Sequence, residues 1–362
     1  MRVALDARLV GLPGIGRFTE GLWRGLHDIG ADVVGLWPAG LPRDWLSLHR
    51  FEPPGPHVTV KARPFLPVEQ ATIPSIVRRI GADVHHATHF NVPYLSRAPI
   101  VVTVHDLFPY LDRSNARSPI AGAYYRAVMP VAMRRARVIA AISNFTARQL
   151  RESLGLPEER IRVIEHGLDH DRWQPPEADR VQVVRERFRL PSQYLLYVGT
   201  AKRHKNLATL IAAHRRYHPP LVLAGPTEQE LAPQLGGVGS DGTVRVLGRV
   251  PDDVLPALYA GAVALVLPST YEAVGFTALE AMACGSPVVV SDGGGLPDTV
   301  GDAGLLVPAR DVDAWAGALS RISEDTELHR QLAAAGRQRV ATRSWRICAQ
   351  QYLDLYTEVA RA

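Results

Sequence analysis

Residues 263–292 read VALVLPSTYEAVGFTALEAMACGSPVVVSD. The stretch opens with a short apolar run, 263–267, and turns at Pro268-Ser269-Thr270. It continues through a loop holding Gly275, a helix-forming segment, and a second apolar run, 288–291. Apolar runs without polar alternation read as strands covered on both faces, the signature of parallel sheet under helices. Strand, helix and strand in that order form the repeating unit of a doubly wound α/β domain.

The same alternation extends in both directions. In the first half, strands are expected at 3–5, 32–37, 57–61, 83–87, 100–105, 138–142 and 162–164. In the second half they are expected at 194–198, 221–224, 243–247, 263–267, 288–291 and 305–307. A chain of 362 residues suits two domains better than one. The polar, proline-containing stretch HDRWQPPEADR (170–180) suits a linker. The expected division is therefore 1–170, 171–341 and a final amphipathic helix, 342–362, with apolar positions at Trp345, Cys348, Tyr352, Leu355 and Tyr356. In doubly wound sheets ligands bind beyond the C-terminal strand ends. Functional residues should therefore stand just after strands in both halves, on two walls of one cleft.

Composition narrows the function. A 46% hydrophobic, 21% charged chain is neither disordered nor fibrous. No apolar run approaches the ~18 residues of a membrane span, and no signal peptide is visible. Two cysteines, Cys284 and Cys348, cannot form a disulfide framework, so a reducing, cytoplasmic setting is expected. The net charge of +5 could serve nucleic acid, anionic lipid or a phosphorylated substrate. No aromatic-plus-basic surface motif favours nucleic acid. Of 41 basic residues, all but Lys61, Lys202 and Lys205 are arginine. Two of those three lysines fall within one four-residue window.

Four constellations follow expected strands. Gly11-Leu-Pro-Gly14-Ile-Gly16-Arg17 opens a helix at 17–26, and a glycine turn lets backbone N–H groups approach an anion. Its spacing is not the dinucleotide fingerprint, which argues against NAD. His105-Asp106 ends the strand 100–104, where a neutral imidazole could bond a sugar hydroxyl or be tied to a structural partner. HHATH (85–89) has a metal-like spacing, but it lies at a strand end with no completing ligand, so no metal is expected. Lys202-Arg203-His204-Lys205 precedes a helix at 207–215, where basic side chains and the helix N-terminus together suit a diphosphate. Last, Glu272 stands in a loop and Glu280 lies eight residues on in the helix, with Gly275, Phe276 and Thr277 between. Carboxylates there would accept from vicinal hydroxyls such as those of ribose or a hexose.

With these residues in hand, the whole chain resembles the family 4 retaining glycosyltransferases, which share the GT-B fold. Glu272 to Glu280, with the downstream EAMACGSPVV, matches the family's E-x7-E motif, and YVGTAKRHKNL matches its diphosphate-binding turn. GIGRF, VVTVHDL, SNFTARQL and VIEHGLD match in order. The resemblance implies two Rossmann-like domains facing a cleft, with the C-terminal helix crossing back to the first. It implies a nucleotide-diphosphate sugar on the second domain. Lys205 with Lys202 or Arg203 would hold the diphosphate, Glu280 the ribose, and Glu272 with the Gly275, Phe276 and Thr277 backbone the hexose. From the first domain, Gly14 and Gly16 would approach the phosphates and His105 the transferred sugar. Catalysis would involve His105, Glu272 and Lys205, without a metal or an enzymic nucleophile. The chain departs from the family at Thr200, where many members carry Arg, at Ala273-Val274 in place of Gly-Phe, and at His166 in place of Asn. HFNVP, VVTVHDL and RHKN look most like the mannosyltransferase branch, which implies GDP-mannose.

The acceptor, a glycan, a lipid-linked sugar or a small-molecule hydroxyl, is expected on the first domain. Residues 118–137 combine Tyr, Val and Met with Arg126, Arg134, Arg135 and Arg137, so this helix is expected either to touch anionic lipid or to line the core. Two other functions fit the same fold: a hydrolysing sugar-nucleotide epimerase, and a non-catalytic binding module.

Overall fold

The computed structural model describes residues 1–12, 14–40, 52–112, 118–214, 219–235 and 243–361. Pro13 in the first glycine turn and Arg215 at the end of the expected helix 207–215 lie outside the described residues. The chain divides into two compact units, Met1–Gly167 with Arg343–Ala362, and Leu168–Thr342.

Unit 1 holds a seven-stranded parallel sheet. Its strands are β1 (Arg2–Asp6), β2 (Asp32–Pro38), β3 (His57–Val60), β4 (Val84–Ala87), β5 (Ile100–Val104), β6 (Val138–Ala141) and β7 (Ile161–Val163). Their order is β3-β2-β1-β4-β5-β6-β7, so the winding reverses between β1 and β4. Unit 2 holds a six-stranded parallel sheet of β8 (Leu195–Val198), β9 (Leu221–Ala224), β10 (Val244–Gly248), β11 (Ala264–Leu267), β12 (Val288–Ser291) and β13 (Leu305–Val307). Its order is β10-β9-β8-β11-β12-β13, which reverses between β8 and β11. All thirteen expected runs form strands. β4, β5, β6, β9, β11 and β12 are buried at every position, as strands under two helical layers are.

Helix α1 (Ile15–Asp28) packs Phe18, Leu22, Trp23 and Leu26 into the unit 1 core. The last helix, here α2 (Trp345–Arg361), returns to that core with Cys348, Ala349, Tyr352, Leu355, Tyr356 and Val359. Four of them, Cys348, Tyr352, Leu355 and Tyr356, are positions expected from the 3.6-residue period, and Trp345, also expected, packs against the core partly buried. Tyr352 and Tyr356 also seal buried polar atoms. The Tyr356 hydroxyl lies 2.7 Å from His86 Nδ1, His86 Nε2 lies 2.8 Å from Thr103 Oγ1, and Thr103 Oγ1 lies 2.8 Å from the Tyr352 hydroxyl.

The helix Pro119–Arg135 spends its apolar side on the core. Met129, Ala132 and Met133 are buried in it, and Tyr124 and Tyr125 pack against it. Arg135 donates to the carbonyls of Tyr94 and Ser96. Ile120, Val131 and Arg134 remain exposed. No helix among the described residues is long and apolar enough to cross a membrane. Both cysteines are free and buried.

Candidate functional site

In each sheet the loops at the reversal point diverge and leave a crevice beyond the strand ends. In unit 2 those loops follow β8 and β11. After β8 the chain runs through Thr200, Lys202 and Arg203, all exposed, into a tight turn at Arg203–Lys205. Asn206 then adopts a left-handed conformation at φ +55°, which Asn tolerates better than most residues. Its Nδ2 donates to the carbonyls of Pro268 at 3.0 Å and Ala309 at 2.6 Å, and its Oδ1 accepts from Thr209 at 2.9 Å. The Thr270 amide and hydroxyl both donate to the His204 carbonyl. The basic turn is thus fastened to the loop after β11.

That fastening sets Lys205 Nζ 2.5 Å from Glu272 Oε1. The two side chains are 20% and 16% exposed, so the pair is sheltered but reachable. Ser269 donates to the same oxygen at 2.9 Å. The Gly295 amide donates to the Glu272 carbonyl at 2.7 Å, and the Thr299 hydroxyl to the Val274 carbonyl at 2.5 Å, which holds the 272–275 loop. Gly275 starts the helix Phe276–Ala283 at φ +84°, and a Cβ there would lie 2.5 Å from Leu296 Cδ2. The positive φ favours glycine there. Phe276 and Thr277 form the first turn of that helix.

Glu280 lies one turn deeper and is buried, and the Tyr259 hydroxyl donates to its Oε2 at 2.9 Å. Below the site, burial and the Glu272 charge both push the Tyr197 phenol up, so it stays protonated and donates to the Thr200 carbonyl at 2.8 Å. Unit 2 therefore gathers Lys202, Arg203, Lys205, Glu272, Gly275, Phe276 and Thr277 on loops at one strand-end crevice. Glu280 stands behind them, held by Tyr259.

Unit 1 offers a different arrangement. Gly14 (φ +78°) starts α1, and Gly16 sits so close to the preceding loop that a Cβ would lie 1.9 Å from the Val10 carbonyl oxygen. His105, just past β5, lies 2.9 Å by its Nε2 from the Thr88 carbonyl. A carbonyl only accepts, so Nε2 carries the proton and Nδ1 holds the lone pair. Burial pulls this imidazole down to about 4 and outweighs the opposing effect of that hydrogen bond. His105 is therefore a neutral acceptor at neutral pH, with one nitrogen already committed to the backbone. Phe18 supports it edge-on at 5.0 Å and is itself stacked on His166 at 4.6 Å. The departure at His166 thus forms part of a buried aromatic cluster.

HHATH is buried packing in large part. His85 is fully buried with no hydrogen bond at either nitrogen among the described residues, and His86 is tied to Thr103 and Tyr356. Among the described residues, no group of three or more His, Cys, Asp or Glu is placed to hold a metal.

Sequence reading missed the residues that hold these groups. Ser269, Asn206 and Tyr259 act across 3, 62 and 21 positions. Only Asn206 left a sign, an Asn directly before a helix. A buried network in unit 1 was missed as well. Arg8 bonds Asp6 through Nε at 2.9 Å and Nη2 at 2.6 Å, and Glu69 through Nη1 at 2.9 Å. Burial works against the Asp6 charge, yet the Arg8 charge and hydrogen bonds hold its carboxyl below the usual range.

The chain is similar to known proteins over both units. A family described as "Glycosyltransferase Family 4" matches residues 13–172, and "Glycosyl transferases group 1" matches residues 182–339. The chain is 32% identical to an O-antigen chain mannosyltransferase B from Escherichia coli, over 75% of this chain and 74% of that protein. It is 31% identical to an alpha-maltose-1-phosphate synthase from Mycolicibacterium smegmatis, over 72% and 73%. Among solved structures it is similar to a sucrose-phosphate synthase from Thermosynechococcus elongatus, with TM-score 0.81, 24% identity and 99% of both chains covered. The two parallel-sheet units are thus the Rossmann-like domains of a GT-B fold, and the chain belongs to glycosyltransferase family 4.

Proposed function

We propose that this glycosyltransferase moves a hexose, mannose by preference, from a nucleotide-diphosphate sugar to a hydroxyl acceptor with retention of configuration. The observation that carries the reading is the Lys205–Glu272 pair at the unit 2 reversal point, with Lys202 and Arg203 exposed beside it. Lys205 Nζ has three N–H donors, of which Glu272 takes one. The others suit phosphate oxygens. Glu272 Oε2 makes no hydrogen bond among the described residues, so it can accept from hexose hydroxyls while Oε1 holds Lys205. Glu280, fixed by Tyr259, would take the ribose.

Transfer would proceed on one face of the donor. The acceptor oxygen bonds the anomeric carbon as the bond from that carbon to the phosphate oxygen breaks, and the acceptor proton passes to a donor phosphate oxygen. The products are the glycoside and a nucleoside diphosphate. The protein's contribution is positioning and charge stabilisation. His105, neutral with Nδ1 as acceptor, would bond a hydroxyl of the transferred sugar and would not act as an acid. The Gly14–Gly16 turn would approach the phosphates.

Mannose is favoured by the likeness to the E. coli mannosyltransferase and by the HFNVP and RHKN segments. The two buried free thiols suit a cytoplasmic setting. Peripheral contact with an anionic membrane through residues 118–137 would have to use Ile120, Val131 and exposed arginines, because Met129 and Met133 are buried. Co-sedimentation with anionic vesicles at low salt tests it.

Thermal-shift screening against GDP-, UDP- and ADP-sugars tests the donor, since a specific ligand raises apparent stability by mass action. Stabilisation by GDP-mannose is expected, and stabilisation only by another nucleotide sugar replaces it. Incubation with sugar nucleotide alone, scored for an epimer, separates transfer from epimerisation.

A further inference from the structure

The chain enters unit 2 at Leu168, and the residues just past that junction are built into the unit. The Trp173 amide donates to the Asp169 carbonyl at 2.8 Å, and the Arg172 amide to Asp169 Oδ1 at 3.2 Å, which closes 169–173 into a turn. The Arg172 guanidinium covers the Trp173 ring, 4.8 Å from its centroid, and pairs with Asp252 at 2.7 Å. Asp252 opens the short turn Asp252–Val254 that leads into the helix Leu255–Gly261. Trp173 is buried with its ring edge-on to Tyr259 of that helix, the centroids 6.1 Å apart and the planes at 61°. The stretch expected as a polar linker is thus fastened twice to the helix that carries Tyr259.

Tyr259 and Glu280 are both buried, and the Tyr259 hydroxyl donates to Glu280 Oε2 at 2.9 Å. A buried carboxylate needs hydrogen-bond donors, and a phenol on a carboxylate makes a charge-assisted bond, roughly twice as strong as a neutral one. That bond also fixes the rotation of the carboxylate, which sets the directions in which its oxygens accept. The hydroxyl holds its place only while its ring does. Tyr194 steadies the helix by donating to the Leu258 carbonyl at 2.8 Å, and Arg180 by its pair with Asp253 at 3.1 Å. Those contacts act on the backbone and on the start of the helix. Trp173 acts on the Tyr259 ring itself, in the edge-to-face arrangement that aromatic pairs prefer.

We infer that Trp173 and Tyr259 are positioning residues for Glu280, so that the segment by which the chain enters unit 2 sets how the site reads the ribose diol of a nucleotide. The inference rests on the reading that Glu280 takes the ribose, and it adds the residues that aim it. Two hydroxyls on adjacent ring carbons stand at a fixed spacing, and a carboxylate meets both only when turned to match them. Turned away, it keeps its charge but loses one partner or both. Removal of the Tyr259 hydroxyl should therefore be felt by nucleotides that carry the diol and not by nucleotides that lack it. The diphosphate answers to the basic turn at 202–205, so a defect in aiming Glu280 is separable from a defect in anion binding.

The test is calorimetric titration of the full chain and its Y259F, W173L, R172A and K205A variants with GDP, UDP and ADP, each against its 2′,3′-dideoxy form. The native chain should bind the diol-bearing form of at least one pair at least about tenfold more tightly than the dideoxy form. Y259F should lose about tenfold for the diol-bearing form, with the dideoxy form nearly unchanged. W173L keeps the apolar bulk and loses the aromatic edge, and R172A uncovers the indole. Each should lose about threefold in the same sense. K205A should weaken both forms equally. Should W173L fail to fold, R172A, a change at an exposed residue, gives the same reading. Equal loss of both forms in Y259F overturns the inference, and so does full discrimination kept by W173L and R172A. If the native chain binds both forms alike yet transfers sugar, the inference fails and the transferase reading stands. If discrimination runs through Tyr259 and Trp173 yet no sugar nucleotide supports transfer, the transferase reading fails and the ribose site stands. If no nucleotide binds, both fail.

Discussion

The two units share an architecture and differ in what they do with charge. Unit 1 buries it. His85, His86, His89, His105 and His166 all have imidazoles driven down by burial, and Arg8 is locked between two carboxylates. Unit 2 keeps a group of charges at a strand-end crevice, where Lys205 and Glu272 are sheltered but reachable and Lys202 and Arg203 are open. A buried neutral imidazole costs little at pH 7 and cannot be charged cheaply. A half-exposed ion pair can exchange one partner for a ligand. The contrast is between the histidines and Arg8 of unit 1, spent on the unit's own packing, and the crevice charges of unit 2, which stay reachable.

The largest effect expected from that contrast comes from acid. The unit 1 imidazoles titrate near 6.5 in the unfolded chain and near 3 to 4 when folded, for His85, His86, His89 and His105. Between those values the unfolded state binds protons that the folded state refuses. Stability from these groups is therefore complete above about pH 6.5 and lost as pH falls toward 4. Hydrogen exchange at pH 7 and pH 5 should show the amides of 84–105 losing protection while those of 264–291 keep theirs. Parallel loss in both units would remove the contrast.

Next is Arg8→Ala. Taking the cation from between Asp6 and Glu69 leaves buried carboxylates uncompensated, which costs about 3–5 kcal/mol. Chemical denaturation should show unit 1 unfolding early, with nucleoside-diphosphate binding by unit 2 retained. Lys205→Ala should weaken nucleoside-diphosphate binding by about 1.5–3 kcal/mol, roughly tenfold to a hundredfold, with little change in melting temperature. Calorimetric titration checks it, and an unchanged affinity would move the diphosphate elsewhere. Glu272→Gln is the smallest change. It keeps the shape and one hydrogen bond to Lys205 but loses the charge, so turnover should fall about tenfold with nucleotide binding nearly intact. Equal loss of both would make Glu272 a structural partner of Lys205 alone.

Much of the fold was legible because its signals are local. Runs such as 195–198 and 288–290 are apolar without interruption, and only strands covered on both faces tolerate that. The basic turn and the paired glutamates were legible for a related reason, since they follow strands directly and the doubly wound topology sends strand ends to the ligand side. The restricted use of lysine was also visible, and all three lysines stand at crevices or cavities of the folded chain.

Contacts across long sequence separations were not legible. Nothing in the order of residues says that Lys205 meets Glu272 67 positions away, that Tyr259 holds Glu280, or that Arg8 closes on Glu69 61 positions on. Nor does it say that His105 donates to Thr88, so that only its Nδ1 remains to accept. The sequence by itself determined which segments become strands and which residue types stand at strand ends. These follow from periodicity and composition over a few residues. The tertiary structure alone decided which charges are spent on one another and which are left for a ligand, because pairing and burial depend on the packing of distant segments.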